Sequence, residues 1–198
     1  MKNMAMLTLS IALLFASHLP ANAASASATM APDTAVMAPR NGAHDFDWLG
    51  GKWYMTFKRL RAPLTHSHDW YSFDGTGEVR LLWNGGGNFE SGRLNSPLGR
   101  IDYATLRTYD TTKHQWSIYW VTAKGGLGLP PEVGSFDANG TGRFYCWNDT
   151  YKGRSIASRY VWTPVGAPSH YHFEQAFSVD HGKTWEVNWI SDVYRKPA

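Results

Sequence analysis

His44-Asp-Phe-Asp-Trp-Leu-Gly-Gly-Lys-Trp-Tyr-Met-Thr-Phe-Lys-Arg-Leu60 decides the fold of this chain. Phe46, Trp48 and Leu49 form an apolar cluster ahead of Gly50-Gly51. That cluster predicts a short turn that plugs one end of a closed sheet. Gly51-Lys52-Trp53 then opens a first strand, with Trp53 and Phe57 on one side of it, since residues i and i+4 of a strand share a face.

Working outward toward the C-terminus, one theme repeats. Short runs of aromatic and β-branched residues are separated by Gly, Asp, Asn and Pro. The pattern predicts strands at 51–61, 66–73, 77–84, 87–93, 101–108, 115–122, 132–136, 142–148, 154–162, 170–178 and 184–194. Asp74-Gly75, Asn139-Gly140, Lys152-Gly153 and His181-Gly182 have the chemistry of tight turns that need positive φ. No stretch after residue 60 keeps a helical period. The expected fold is all-β: an antiparallel up-and-down barrel of about ten strands with a short N-terminal plugging turn, closure removing the exposed edges. A two-sheet sandwich is the alternative.

Working back toward the N-terminus, residues 1–23 read as a signal peptide. Lys2 supplies the positive start and Met4 to Phe15 the apolar run. Ala21-Asn22-Ala23 supplies the small residues before a cut near Ala23. The apolar run is shorter than the roughly 20 residues a membrane helix needs. Periplasmic or secreted localisation is expected. Residues 24–43, rich in Ala, Ser, Thr, Met and Pro, read as a disordered tether. The barrel domain is assigned to 44–198. Its aromatic content, 15% with 10 Trp over the whole chain, is far too high for disorder. A net charge of +3, with no basic run, gives no reason to expect nucleic acid. Cys146 is the single cysteine, so no intrachain disulfide can form; its apolar strand context predicts a small buried hydrophobe and not a nucleophile.

Gly-x-Trp after a capping turn, here Gly51-Lys52-Trp53, resembles the lipocalin and calycin group. In that group the Trp packs across the barrel base near an Arg from the last strand, which implies Arg195 here. A wider resemblance rests on five segments. They are Asp45 to Trp53, Gln115 to Trp120, Val133 to Phe136, Glu174 to Ser178 and Gly182 to Trp189. Together these resemble a bacterial exported family of calycin-like barrels whose function is uncharacterised, over residues 44–196. The resemblance implies the barrel and brings no catalytic residues with it.

Large aromatics recur at i and i+4 in three strands: Trp53 and Phe57, Trp116 and Trp120, Trp185 and Trp189. One face of the sheet is therefore aromatic. It either fills the core or lines a pocket for a flat, apolar ligand. If Ser178 pairs with Thr184 in the last hairpin, Gln175 lies opposite Val187 and Phe173 opposite Trp189. Gln175 then shares a face with Phe173, Phe177, Trp185 and Trp189, where its amide is a satisfied core group or a ligand-orienting one. The candidate ligand-binding set is Phe57, Trp116, Trp120, Gln175 and Trp189.

His170, His172 and Glu174 alternate along one strand, and His66-Ser67-His68 repeats the pattern. Imidazole and carboxylate suit Zn or Fe, so these are candidate metal ligands, and an inward His could hold heme. An exposed polar face explains the same alternation, and no metal or cofactor is assigned. No Gly-x-Ser-x-Gly elbow exists. Three functions stand. The first is an exported barrel that binds a small apolar or aromatic molecule. The second is an isomerase, cyclase or hydrolase that uses inward His170, His172 or Glu174. The third is an envelope structural or partner-binding protein with a filled barrel.

Overall fold

The computed structural model describes residues 40–196. The expected signal peptide, and the expected tether up to residue 39, lie outside the described residues. The strands are β1 (Gly51–Leu60), β2 (Trp70–Leu82), β3 (Gly87–Leu94), β4 (Ile101–Asp110), β5 (Gln115–Thr122), β6 (Gly126–Leu127), β7 (Glu132–Phe136), β8 (Gly142–Tyr151), β9 (Arg154–Gly166), β10 (His170–Ser178) and β11 (Glu186–Arg195). They run β4-β3-β2-β1-β11-β10-β9-β8-β7-β5, and a further β4–β5 pairing closes the ring into a ten-stranded antiparallel barrel. The two-residue β6 pairs only with β5 at its edge. Each barrel strand neighbours the next along the chain, and β1 zips to β11 from Trp53↔Arg195 to Arg59↔Trp189. No helix among the described residues is long and apolar enough to cross a membrane.

The plug forms as the opening stretch predicts. Asp47–Leu49 makes one turn of 3-10 helix. The Phe46 ring meets Trp116 edge-on at 5.0 Å and Phe136 at 4.8 Å, and Trp48 stacks on Tyr171. Trp53 is 1% exposed, and its indole N–H donates to the Leu49 carbonyl at 2.6 Å. The Arg195 guanidinium lies 4.4 Å above the Trp53 ring and donates to the carbonyls of Gly50 and Trp48. This one cation thus covers the aromatic base and caps the carbonyls that the short turn leaves open. A Cβ at Gly51 would sit 2.9 Å from the same guanidinium, and its φ of +116° suits only glycine.

Two expectations are corrected. Asp74-Gly75 is not a turn. The predicted strands 66–73 and 77–84 are replaced by one strand beginning at Trp70, and β2 runs straight through Asp74-Gly75 with Gly75 paired to Met55 and Leu94. A Cβ there would meet the Arg93 carbonyl at 2.7 Å and Leu94 at 2.8 Å. The glycine makes room between neighbouring strands instead of reversing the chain. The expected tether also ends earlier than residue 43. Gly42 is buried, its N–H donating to the Tyr109 hydroxyl at 2.9 Å and its carbonyl accepting from the Trp116 indole at 2.9 Å. The turns at Asn139-Gly140, Lys152-Gly153 and His181-Gly182 all carry positive φ at their glycines.

Candidate functional site

The barrel is plugged at one end and hollow above the plug. A cavity of about 260 Å3 remains between Met55 and Ile118 near the plug and Arg59, Tyr151 and Phe177 toward the other end. The volume lies just under the roughly 300–1,000 Å3 usual for small-molecule sites. Strand alternation directs the inner residues into it. On β1 these are Met55, Phe57 and Arg59; on β9, Tyr160 and Trp162; on β10, Phe173, Gln175 and Phe177.

Phe57, Trp120, Gln175 and Trp189 line this cavity. Trp120 stacks on Tyr103 at 4.7 Å, and Trp189 meets Phe57 edge-on at 5.9 Å under the Arg59 guanidinium, 4.5 Å away. Trp116 does not line it. Its side chain is fully buried at the plugged end, where it anchors Gly42 and Phe46. Trp116 and Trp120 point the same way but lie four residues' rise apart along β5, about 13 Å, one in the base and one in the hollow.

The last hairpin needs a correction of register. Gln175 lies opposite Trp189 and Phe173 opposite Ser191, with a bulge between Gln175 and Ala176 that leaves Asn188 without a partner in the ladder. The bulge inverts the facing of what precedes it. Trp185 therefore leaves the aromatic interior and packs outside against Trp147 and the Arg159 guanidinium. Gln175 stays inward, donating to the Asn188 side-chain carbonyl at 2.7 Å.

His170, His172 and Glu174 face outward. His170 and His172 both pair with Asp192, at 3.2 and 3.1 Å, and His172 reaches Glu174 at 3.4 Å. Burial pushes the Asp192 carboxyl up, but the hydrogen bonds from His172 and His170 outweigh it and hold the group below its ordinary range. His66 and His68 lie in the loop between β1 and β2. Among the described residues no group of three or more His, Cys, Asp and Glu is placed to hold a metal ion. The expected inward placement of His170, His172 or Glu174 is corrected, since strand alternation turns all three away from the cavity that Phe173 and Gln175 line. Cys146 is buried, and burial pushes its thiol up, away from a reactive thiolate.

The inward polar groups are others. Arg107 on β4, 3% exposed, donates to the Glu90 carboxylate at 2.8 Å and to the Asn88 carbonyl at 3.0 Å. Tyr103 donates to the other Glu90 oxygen at 2.5 Å. This buried pair sits beside the Phe46 ring of the plug, 5.3 Å from the Arg107 carbon. Two strands along the ring from Arg107, and level with it through Ile118, Glu132 on β7 is 7% exposed and accepts from Ser158 at 3.1 Å. Burial pushes its carboxyl up to about 7, against the hydrogen bonds of Tyr160 and Ser158. The Trp189 indole N–H and the Ser191 hydroxyl are buried on the cavity wall without a partner among the described residues. A signal for the Arg107 pair was present in the sequence. Asn88-Phe89-Glu90 and Thr105-Leu106-Arg107 alternate with the opposite sense to their neighbours, polar residues at the inward positions.

No family model matches the chain, and no curated relative matches it. Among solved structures, an S-type phycobiliprotein lyase from Guillardia theta superposes with a TM-score of 0.51 at 10% sequence identity, covering 77% of this chain and 91% of the lyase. An identity of that size speaks for the fold alone. With the ring of ten antiparallel strands, it makes this chain a lipocalin- or calycin-like β-barrel.

Proposed function

We propose that the barrel binds a small, largely apolar, ring-bearing molecule in the cavity above the plug. The observation that carries this reading is the cavity's own composition. A hollow of about 260 Å3 is walled by Phe57, Trp120, Trp162, Phe173 and Trp189, yet includes the unpartnered Trp189 N–H and Ser191 hydroxyl. Buried polar atoms without partners are costly, and a ligand that supplies the missing acceptor or donor removes that cost. A filled structural barrel would have neither the space nor the orphaned groups.

The test is titration with the neutral fluorophore N-phenyl-1-naphthylamine. Saturable enhancement, lost in Trp120→Ala and Trp189→Ala but kept in Trp116→Ala, is the expected result. Absence of saturable binding, together with no retained small molecule by native mass spectrometry of protein from its own host, would sink the reading. Export is part of the proposal and rests on Lys2, the apolar run and Ala21-Asn22-Ala23. Amino-terminal sequencing of the mature protein should begin near Ala24.

A further inference from the structure

The charged groups of the cavity do not balance. Two guanidinium groups, Arg59 and Arg107, line it against three carboxyls, Glu90, Glu132 and Asp149. Arg107, two strands from Glu132 and level with it through Ile118, is committed to Glu90 and Asn88. Arg59 lies over the Trp189 ring. Glu132 is left with hydroxyl partners, Ser158 at 3.1 Å and Tyr160. Among the described residues no lysine, arginine or histidine pairs with it. The charge that acts on it is another carboxylate, Asp149.

A buried carboxylate normally comes with a cation, because its own desolvation is otherwise unrepaid. Here two hydroxyl donors are already aimed at Glu132, the arrangement that suits its ionised form. The surroundings suit a cation too. Tyr151, Tyr160 and Phe177 share the cavity with Glu132, and the faces of such rings attract positive charge. Ser191 on β11, 2% exposed and without a partner among the described residues, offers a further acceptor in the same cavity.

We infer that the cavity selects a cationic ligand, a ring-bearing amine whose ammonium group is received by Glu132 with Asp149 beside it while the aromatic walls hold the ring. This rests on the cavity being a ligand site, as proposed above, and specifies the chemistry of its occupant. A ligand bearing a carboxylate would meet like charge at the same point and is rejected.

Three probes of nearly equal shape separate the possibilities: 2-phenylethylamine, 2-phenylethanol and phenylacetate, titrated calorimetrically into the mature chain at pH 8. The amine is expected to bind at least ten-fold more tightly than the alcohol, and phenylacetate more weakly than either. Glu132→Gln should bring the amine down to the level of the alcohol, with circular dichroism confirming the fold. Asp149→Asn, a milder change farther from full burial, should reduce the same preference. If amine and alcohol bind equally to the native chain, or if Glu132→Gln keeps the preference, the charge inference falls and the apolar site stands. If none of the three binds, both fall. The native-chain series decides the matter even where a variant does not fold.

Discussion

Glu132→Gln should change the pH dependence of stability in a defined direction. The carboxyl titrates at about 4.5 in an unfolded chain and at about 7 in the folded one, where burial disfavours its charge. Between those values the folded state holds a proton that the unfolded state has released. Stability therefore falls as pH rises through this window, is free of the penalty below about 4.5, and bears all of it above about 7. The rise from 4.5 to about 7, at roughly 1.4 kcal/mol per tenfold change in proton affinity, gives on the order of 3 kcal/mol. Solvent screening discounts little of this, because only 7% of the residue is exposed. Glutamine keeps an acceptor for Ser158 and Tyr160 and has no charge to bury. Urea unfolding of both proteins at pH 4, 5.5, 7 and 8.5 isolates the effect. The other titrating groups are common to both and cancel in the difference. The native chain should lose about 3 kcal/mol relative to Glu132→Gln between pH 4 and 8.5. Parallel profiles across that range would refute the placement of an uncompensated carboxyl in the barrel wall.

Three further outcomes follow from the same structure. Trp53→Ala removes a 1%-exposed ring under Arg195 and should lower stability by about 3–5 kcal/mol in chemical denaturation; an unchanged transition would contradict its place at the barrel base. Glu90→Gln leaves the Arg107 guanidinium buried and unpaired, and should cost about 3–5 kcal/mol, while the double change Glu90→Gln with Arg107→Met recovers part of it. Trp116→Ala should destabilise the plugged end yet leave probe affinity within about two-fold, whereas Trp120→Ala should weaken probe binding by ten-fold or more, about 1.4 kcal/mol; fluorescence titration against thermal melting separates the two.

Much of the barrel was legible because its signals are local. Gly51-Lys52-Trp53, the apolar cluster before it and the glycine turns at Asn139, Lys152 and His181 each act through neighbouring residues in the chain. Gly75 shows the limit. A glycine beside an aspartate reads as a reversal, and only the neighbouring strand shows that the missing Cβ avoids the Arg93 carbonyl. Trp185 shows another. A bulge of one residue at Asn188 exchanges the faces of β11, and an i, i+4 count carries no trace of it.

The sequence by itself determined an all-β chain, a plug ahead of the first strand, and an aromatic inner face with Gln175 on it. These depend on side-chain alternation and turn chemistry, which the order of residues contains. Tertiary structure decided the rest. Trp116 went into the base while Trp120 stayed in the hollow, the histidines of β10 turned outward, and Glu132 lost any basic partner while Glu90 gained one. Those outcomes depend on how high each residue sits along a closed ring of strands and on what faces it across the interior. Neither is set until β4 meets β5 and the barrel closes.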